Sequence, residues 1–175
     1  MTDFVFEEKS LYIGIPLEAR VVAELSQKKL TLFTAESCTG GLVSKLITDI
    51  SGASRVLLGG IVSYTNEVKM NQLGVSPKTI AEFSEVSAEC AAEMAEGARE
   101  ISGADIGVSA TGYASDGEGV PKGMKGTVFI GYSDKNGVKI RKLKLCGSRD
   151  EVRNIAAQNI FDMILGEVPE RIICQ

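Results

Sequence analysis

The sequence predicts an α/β layered domain built on a mixed sheet. Helix-like and strand-like hydrophobic patterns alternate through the first part of the chain, which is the order of parallel βα units. Two later strand-like runs joined across "DKNG" read as an antiparallel hairpin. The 175 residues, 44% of them apolar and 24% charged, suffice for one domain around one core. No internal repeat and no long linker divides the chain.

The elements follow in order. Leu17, Val21, Val22 and Leu25 recur at helical spacing, so residues 16–28 read as an amphipathic helix with Pro16 in its first turn. "LTLFTA" (30–35) is a short β-rich run. Thr39-Gly40-Gly41 then opens a second helix with Leu42, Leu46 and Ile50 on one face, broken by "ISGAS" (50–54). "GGIVSYT" (59–65) reads as a strand, and "NEVKMNQLG" as a helix closed by Gly74. Ser87 caps a long helix whose Ala91, Met94, Ala95, Ala98 and Ile101 form a small-residue face. "DIGVSATG" (105–112) is a buried strand, followed by a glycine-rich loop over 112–126. "GTVFIGYS" and "VKIRKLKLC" form the hairpin. A last helix covers about 149–165, with Val152, Ile155, Ala156, Ile160, Met163 and Ile164 on its core side.

Composition excludes several functions. The formal net charge is −4 and Lys and Arg form no block, so there is no electrostatic footprint for nucleic acid. The apolar runs are too short to cross a membrane. The opening "MTDFVFEEKSLYIG" lacks the order of a secretory signal. Cys38, Cys90, Cys146 and Cys174 are scattered without CxxC spacing, and the default is reduced thiols in a cytoplasmic protein. The small-residue helix after Ser87 and the apolar "RIICQ" suit subunit contacts of a homo-oligomer, though core packing explains the alanines equally well.

One absence is more informative. The chain has no histidine. A Ser-His-Asp or Cys-His site is impossible within one chain, and the imidazole ligands of zinc are missing. Acid–base chemistry must run through Lys, Asp, Glu, Tyr or a thiol.

"TAESCTGG" (34–41) places two hydroxyls, a thiol and a carboxylate where a strand should run into a helix. Ser37 there is either a nucleophile, with helix-end N–H groups as its oxyanion hole, or a helix cap. Cys38 is either a rival thiol nucleophile or a packing residue. Lys69, after the strand "GGIVSYT", is either a desolvated base for a serine or a solvated lysine. Tyr64 and Asn66 place donors at the same edge, or Tyr64 is a core residue with its hydroxyl at the rim. The glycine-rich loop wraps a ligand or merely turns, and the phosphate-loop pattern GxxxxGK[ST] does not occur. Arg149 holds an anionic group or pairs with a surface carboxylate. Ligands in such sheets sit at the carboxyl ends of strands, so the polar stretches around Ser37, Asn66 and Thr111 are expected to converge on one edge.

"AESCTGG" (35–41), "VSYTNEVK" (62–69), "VSAECAAEMAEGA" (86–98), "SATG" (109–112), "KGTVFIG" (125–131) and "RDEVR" (149–153) appear in the order of the CinA C-terminal domain, which the chain resembles over about residues 16–166. The resemblance implies a three-layer α/β/α domain with a mixed, mostly parallel sheet and the late antiparallel hairpin, in a single domain over 1–175 and in a stand-alone form. It implies a nicotinamide-nucleotide amidohydrolase, which converts nicotinamide mononucleotide to nicotinate mononucleotide and ammonia without cofactor or metal. Carried over, Ser37 is the nucleophile and Lys69 its base, with Tyr64 ordering the site. Thr39, Gly40, Gly41, Asn66, Thr111, Gly112 and Arg149 are the substrate-binding positions. The chain departs from the family's pattern in the loop. Family members commonly read "SGIAGPxGG" then "KPVGTV"; here the segments are "TGYASDGEG" and "GMKGTV". Ser115 and Asp116 stand at the usual glycine and proline, Gly123 and Met124 at the usual lysine and proline. A hydrolase of a different small amide and a non-catalytic binding protein are the alternatives.

Overall fold

The computed structural model describes residues 14–167. Helix α1 (Leu17–Lys28) leads to β1 (Leu32–Glu36), α2 (Leu42–Thr48), a 3-10 turn (Ala53–Arg55) and β2 (Leu57–Val62). Then come α3 (Asn66–Leu73), α4 (Pro77–Phe83), α5 (Ala88–Ser102), β3 (Ile106–Gly112), β4 (Thr127–Asp134), β5 (Gly137–Lys144) and α6 (Arg149–Ile164). The five strands form one sheet in the order β2-β1-β3-β4-β5. β1 runs parallel to β2 and β3, while β4 is antiparallel to both β3 and β5. Four strands therefore point one way and β4 points back, as the expected α/β architecture requires.

The helices cover both faces. On one, Val21, Val43, Ile47, Val152, Ala156 and Phe161 from α1, α2 and α6 pack with Leu32, Val108, Val128 and Ile130 of the sheet. On the other, Leu73, Cys90, Met94 and Ala98 from α3 and α5 close over Ala35. This is the three-layer α/β/α arrangement. Gly97 permits it locally: a Cβ there would come within 1.8 Å of the Leu73 carbonyl oxygen, so α5 and the end of α3 meet only across a glycine.

Several expectations need adjustment. Residues 77–83, with Ser76 as N-cap and Pro77 in the first turn, form a helix that the hydrophobic pattern did not single out. In α2 the fully buried positions are Val43 and Ile47, and Leu42, Leu46 and Ile50 only flank them. Ile101 is 52% exposed, because it sits in the last turn of α5, beyond the stretch that the sheet covers. Ala91, Ala95 and Ala98 are wholly buried within the chain, so they are core and offer no surface to a second subunit. "RIICQ" lies outside the described residues. Cys38 and Cys90 are free thiols, whereas Cys146 is disulfide-bonded, a bridge that scattered spacing does not announce. Among the described residues no helix is long and apolar enough to cross a membrane.

Candidate active site

The site begins with strand alternation. Successive side chains of β1 point to opposite faces of the sheet. Leu32, Thr34 and Glu36 face α2, while Ala35 faces α3 and α5. One residue beyond the strand, Ser37 emerges on the α3 face. The register pairs Glu36 with Val62 of β2 and Ala110 of β3, so the next positions, Ser63 and Thr111, flank Ser37 at the carboxyl ends of the parallel strands. Backbone bonds lock this edge: Ser37 N–H donates to the Ala110 carbonyl at 2.9 Å, and Ser63 N–H to the Glu36 carbonyl at 2.8 Å.

Lys69 reaches this point from α3. Thr65 caps that helix by accepting the Val68 N–H, and Lys69 sits one turn in, on the buried side. Only 1% of Lys69 is exposed. Its Nζ donates to the Ser63 carbonyl at 2.8 Å and lies 3.2 Å from Ser37 Oγ. Burial pulls the ammonium below its ordinary pKa, against opposing contributions from Cys90, Glu85 and Cys38. Burial also pushes both thiols up to about 12, so they stay neutral at pH 7. A neutral Lys69 amine has a lone pair free for the Ser37 hydroxyl proton once one N–H is spent on Ser63. The same burial removes Cys38 as a nucleophile, since the thiolate is the reactive form.

Glu36 decides between the two readings of Ser37. The N-cap of α2 is Gly41, which has no side chain, and neither Ser37 nor Thr39 caps the helix. The carboxylate of Glu36, 1% exposed, does so instead, accepting Val43 N–H at 3.0 Å, Ser44 N–H at 2.9 Å and Ser44 Oγ–H at 2.8 Å. Ser37 is thereby left free. The helix end is filled by the protein's own carboxylate, so it is not an open anion site.

The expected oxyanion donors shift accordingly. Gly40 N–H turns back onto the Ser37 carbonyl at 3.1 Å. Gly40 and Gly41 both have positive φ, 61° and 92°, and shape the turn rather than line the cavity. Thr39 is fully buried, and its carbonyl accepts Arg153 Nε–H and NH2 at 3.2 and 2.7 Å. Of the residues in this turn, Cys38 alone after Ser37 lines the cavity, and its N–H donates to no backbone carbonyl among the described residues.

A cavity of about 470 Å³ opens over Ser37 and Lys69, walled by Tyr64, Glu85, Thr111, Gly112, residues 113–120 and Arg149. The glycine-rich loop thus forms one wall of the cavity. Tyr64 is 60% exposed and accepts Arg149 NH2 at 2.9 Å, with no hydrogen bond to Ser37 or Lys69 among the described residues. It is a wall residue. Arg149 also donates to Ser115 Oγ at 3.0 Å, and so clips the loop to the segment after β2. Thr111 is buried, with its hydroxyl donating to the Glu85 carbonyl at 2.6 Å. Asn66 occupies the first turn of α3 and does not reach the cavity. Of the residues singled out in the sequence, Ser37, Cys38, Lys69, Tyr64, Thr111, Gly112 and Arg149 converge there. Thr39, Gly40, Gly41 and Asn66 do not.

Sequence reasoning missed four contributors. Glu36 was visible only as one polar letter of "TAESCTGG", although strand parity sends it opposite to Ser37. Ser63, Arg153 and Glu85 act through a backbone carbonyl, across the fold, and from a loop respectively, and local spacing marks none of them.

The geometry can now be set beside known proteins. The profile described as CinA C-terminal domain matches residues 15–168. The chain belongs to the CinA C-terminal domain family. A "CinA-like protein" of Kosmotoga olearia is 43% identical over 148 residues, covering 85% of this chain and 36% of that protein. The chain therefore spans little more than a third of that relative's length. The crystal structure of competence/damage inducible protein CihA from Agrobacterium tumefaciens superposes with a TM-score of 0.82 at 34% identity, covering 86% of this chain and 92% of that one. A CinA superfamily protein of Escherichia coli gives 0.80 at 31%, covering 85% and 87%.

Proposed function

We propose that this CinA-family domain hydrolyses the carboxamide of nicotinamide mononucleotide to nicotinate mononucleotide and ammonia, in a cytoplasmic setting. The observation that carries the reading is the buried pair of Lys69 Nζ and Ser37 Oγ, 3.2 Å apart at the floor of the cavity. A histidine-free chain has few other ways to activate a hydroxyl.

In the first step neutral Lys69 takes the Ser37 proton while Oγ bonds to the carboxamide carbon. The oxyanion faces the backbone N–H of Cys38, which lines the cavity. The C–N bond breaks as the Lys69 ammonium returns its proton to the departing nitrogen, which leaves as ammonia. Water then attacks the seryl ester, Lys69 takes its proton, and nicotinate mononucleotide leaves as Ser37 regains its hydrogen. The Ser63 carbonyl keeps the amine aimed throughout. No step calls for a metal or a cofactor.

Ammonia release from nicotinamide mononucleotide, followed for the wild type and for Ser37→Ala, tests this. Release by the wild type alone is expected. A second reading keeps the Ser37–Lys69 chemistry and changes the substrate to another small amide, because Asp116 and Glu118 line the cavity where a phosphate would lie. Turnover of a dephosphorylated amide with none of the mononucleotide would favour it. Binding without product from any amide would favour a non-catalytic role.

A further inference from the structure

Glu85 stands at the cavity on the chain between α4 and α5, and it forms no bond and moves no proton in the Ser37–Lys69 steps. It is half-buried, and among the described residues no Lys or Arg forms an ion pair with it. Its nearest side-chain donor is the Tyr113 hydroxyl, at a long 3.4 Å. A half-buried carboxylate without a cation is costly to keep. The backbone is nevertheless built to hold it there. Ser84, just before it, has φ 72° and ψ 165°, a region that only glycine enters readily. Three bonds fix that conformation: Val86 N–H to Ser84 Oγ at 3.1 Å, Ser87 Oγ–H to the Ser84 carbonyl at 2.9 Å, and Thr111 Oγ–H to the Glu85 carbonyl at 2.6 Å. Tyr64 and Tyr113 add two aromatic side chains to the same cavity wall. A carboxylate in a cavity lined by aromatic residues is the chemistry that receives a delocalised organic cation.

We propose that Glu85 is the specificity residue of this cavity and selects amides whose ring carries a positive charge, as an N-substituted pyridinium does. This rests on the amide-hydrolysis reading for the position of the carboxamide at Ser37, but charge selection is a binding property and is measured without turnover. Lys69, the other titratable group on the floor, is buried and forms no ion pair with Glu85 among the described residues. The remaining cavity cation, Arg149, is committed to Tyr64 and Ser115.

The test is calorimetric binding to the Ser37→Ala protein of two ligands of one shape, the 1-methylnicotinamide cation and neutral 3-methylbenzamide. The cation is expected to bind about tenfold tighter or better, with the margin collapsing in Ser37→Ala/Glu85→Gln and shrinking as salt is raised. Equal binding of the two ligands overturns the proposal. So does a cation preference that survives Glu85→Gln. Where Glu85→Gln fails to fold, Glu85→Asp, which keeps the charge on a shorter stem, is expected to retain part of the margin, and its complete loss there would overturn the proposal. Ammonia release by the wild type is read separately. Cation preference without ammonia sinks the hydrolase reading and leaves Glu85 its role, and ammonia without preference does the reverse.

Discussion

The turn after β1 and the loop after β3 leave the same edge of the same sheet, yet they are built in opposite ways. The first, Glu36 to Gly41, is tied on every side. Glu36 grips two amides and a hydroxyl of α2, Ser37 N–H is bonded to Ala110, and Arg153 holds the Thr39 carbonyl. The second, over 113–126, forms one wall of the cavity and is clipped at points, by Arg149 to Ser115 and by Lys144 to the carbonyls of Gly123 and Lys125. Rigid placement serves a reacting atom, whose position is worth orders of magnitude in rate. A wall that selects ligands tolerates change, and here the chain departs from its family's pattern. If the proposed reading holds, chemistry and ligand selection lie on separate pieces and should be separable by mutation.

The largest effects are expected at the floor. Ser37→Ala and Lys69→Met should each lower kcat by about 10³-fold or more while leaving the circular dichroism spectrum unchanged. Lys69→Met carries a second signature. The Lys69 ammonium is held below its usual 10.5 in the folded chain, so the unfolded state binds the extra proton. Folding stability from this group therefore rises with pH between the depressed folded value and 10.5. Below that window the burial penalty is fully present. Lys69→Met removes it, so the inactive variant should resist urea better than the wild type at pH 7. The wild type's rate should climb with pH as Lys69 loses its proton, and Glu85→Gln should move that climb to lower pH, because the Glu85 charge favours the ammonium.

The next effect tests the tether. Glu36→Ala strands the buried Val43 and Ser44 amides and should cost about 2–3 kcal/mol of stability in a urea titration. Its kcat should fall with KM little changed. A rise in KM with kcat intact would mean that the turn does not position the nucleophile.

The loop gives smaller changes. Arg149→Ala unclips Tyr64 from Ser115 and should raise KM several-fold with kcat nearly intact, read from initial rates. The smallest effect is expected at Cys38. Its thiol is pushed up to about 12, so Cys38→Ala should keep turnover within a few-fold and iodoacetamide should leave the native wild type active.

Much of this was legible in the sequence, for reasons that differ by residue. The mixed sheet, parallel early and antiparallel at the hairpin, follows from βα alternation and the hairpin turn, whereas the strand order came only with the structure. The Ser37 and Lys69 pair emerges because the absence of histidine leaves lysine as a serine's base, and because "AESCTGG" and "VSYTNEVK" carry the family resemblance. The function of Glu36 was not legible, since it depends on the amides of a helix six residues on, and that same bond cancels the expected anion site at the helix end. Thr39 to Gly41 were assigned to the ligand for want of that information. Helix α4 was passed over because one of its seven residues, Thr79, is buried, so it shows no apolar stripe.

The central claim is that Ser37 carries the acyl group. Intact-protein mass spectrometry after rapid acid quenching, with nicotinamide mononucleotide in excess, tests it most directly. A nicotinate-derived ester on the Ser37 peptide, absent from Ser37→Ala and from Lys69→Met, is the predicted result. Ammonia released by an enzyme that never carries the adduct, or an adduct on Cys38, would contradict it.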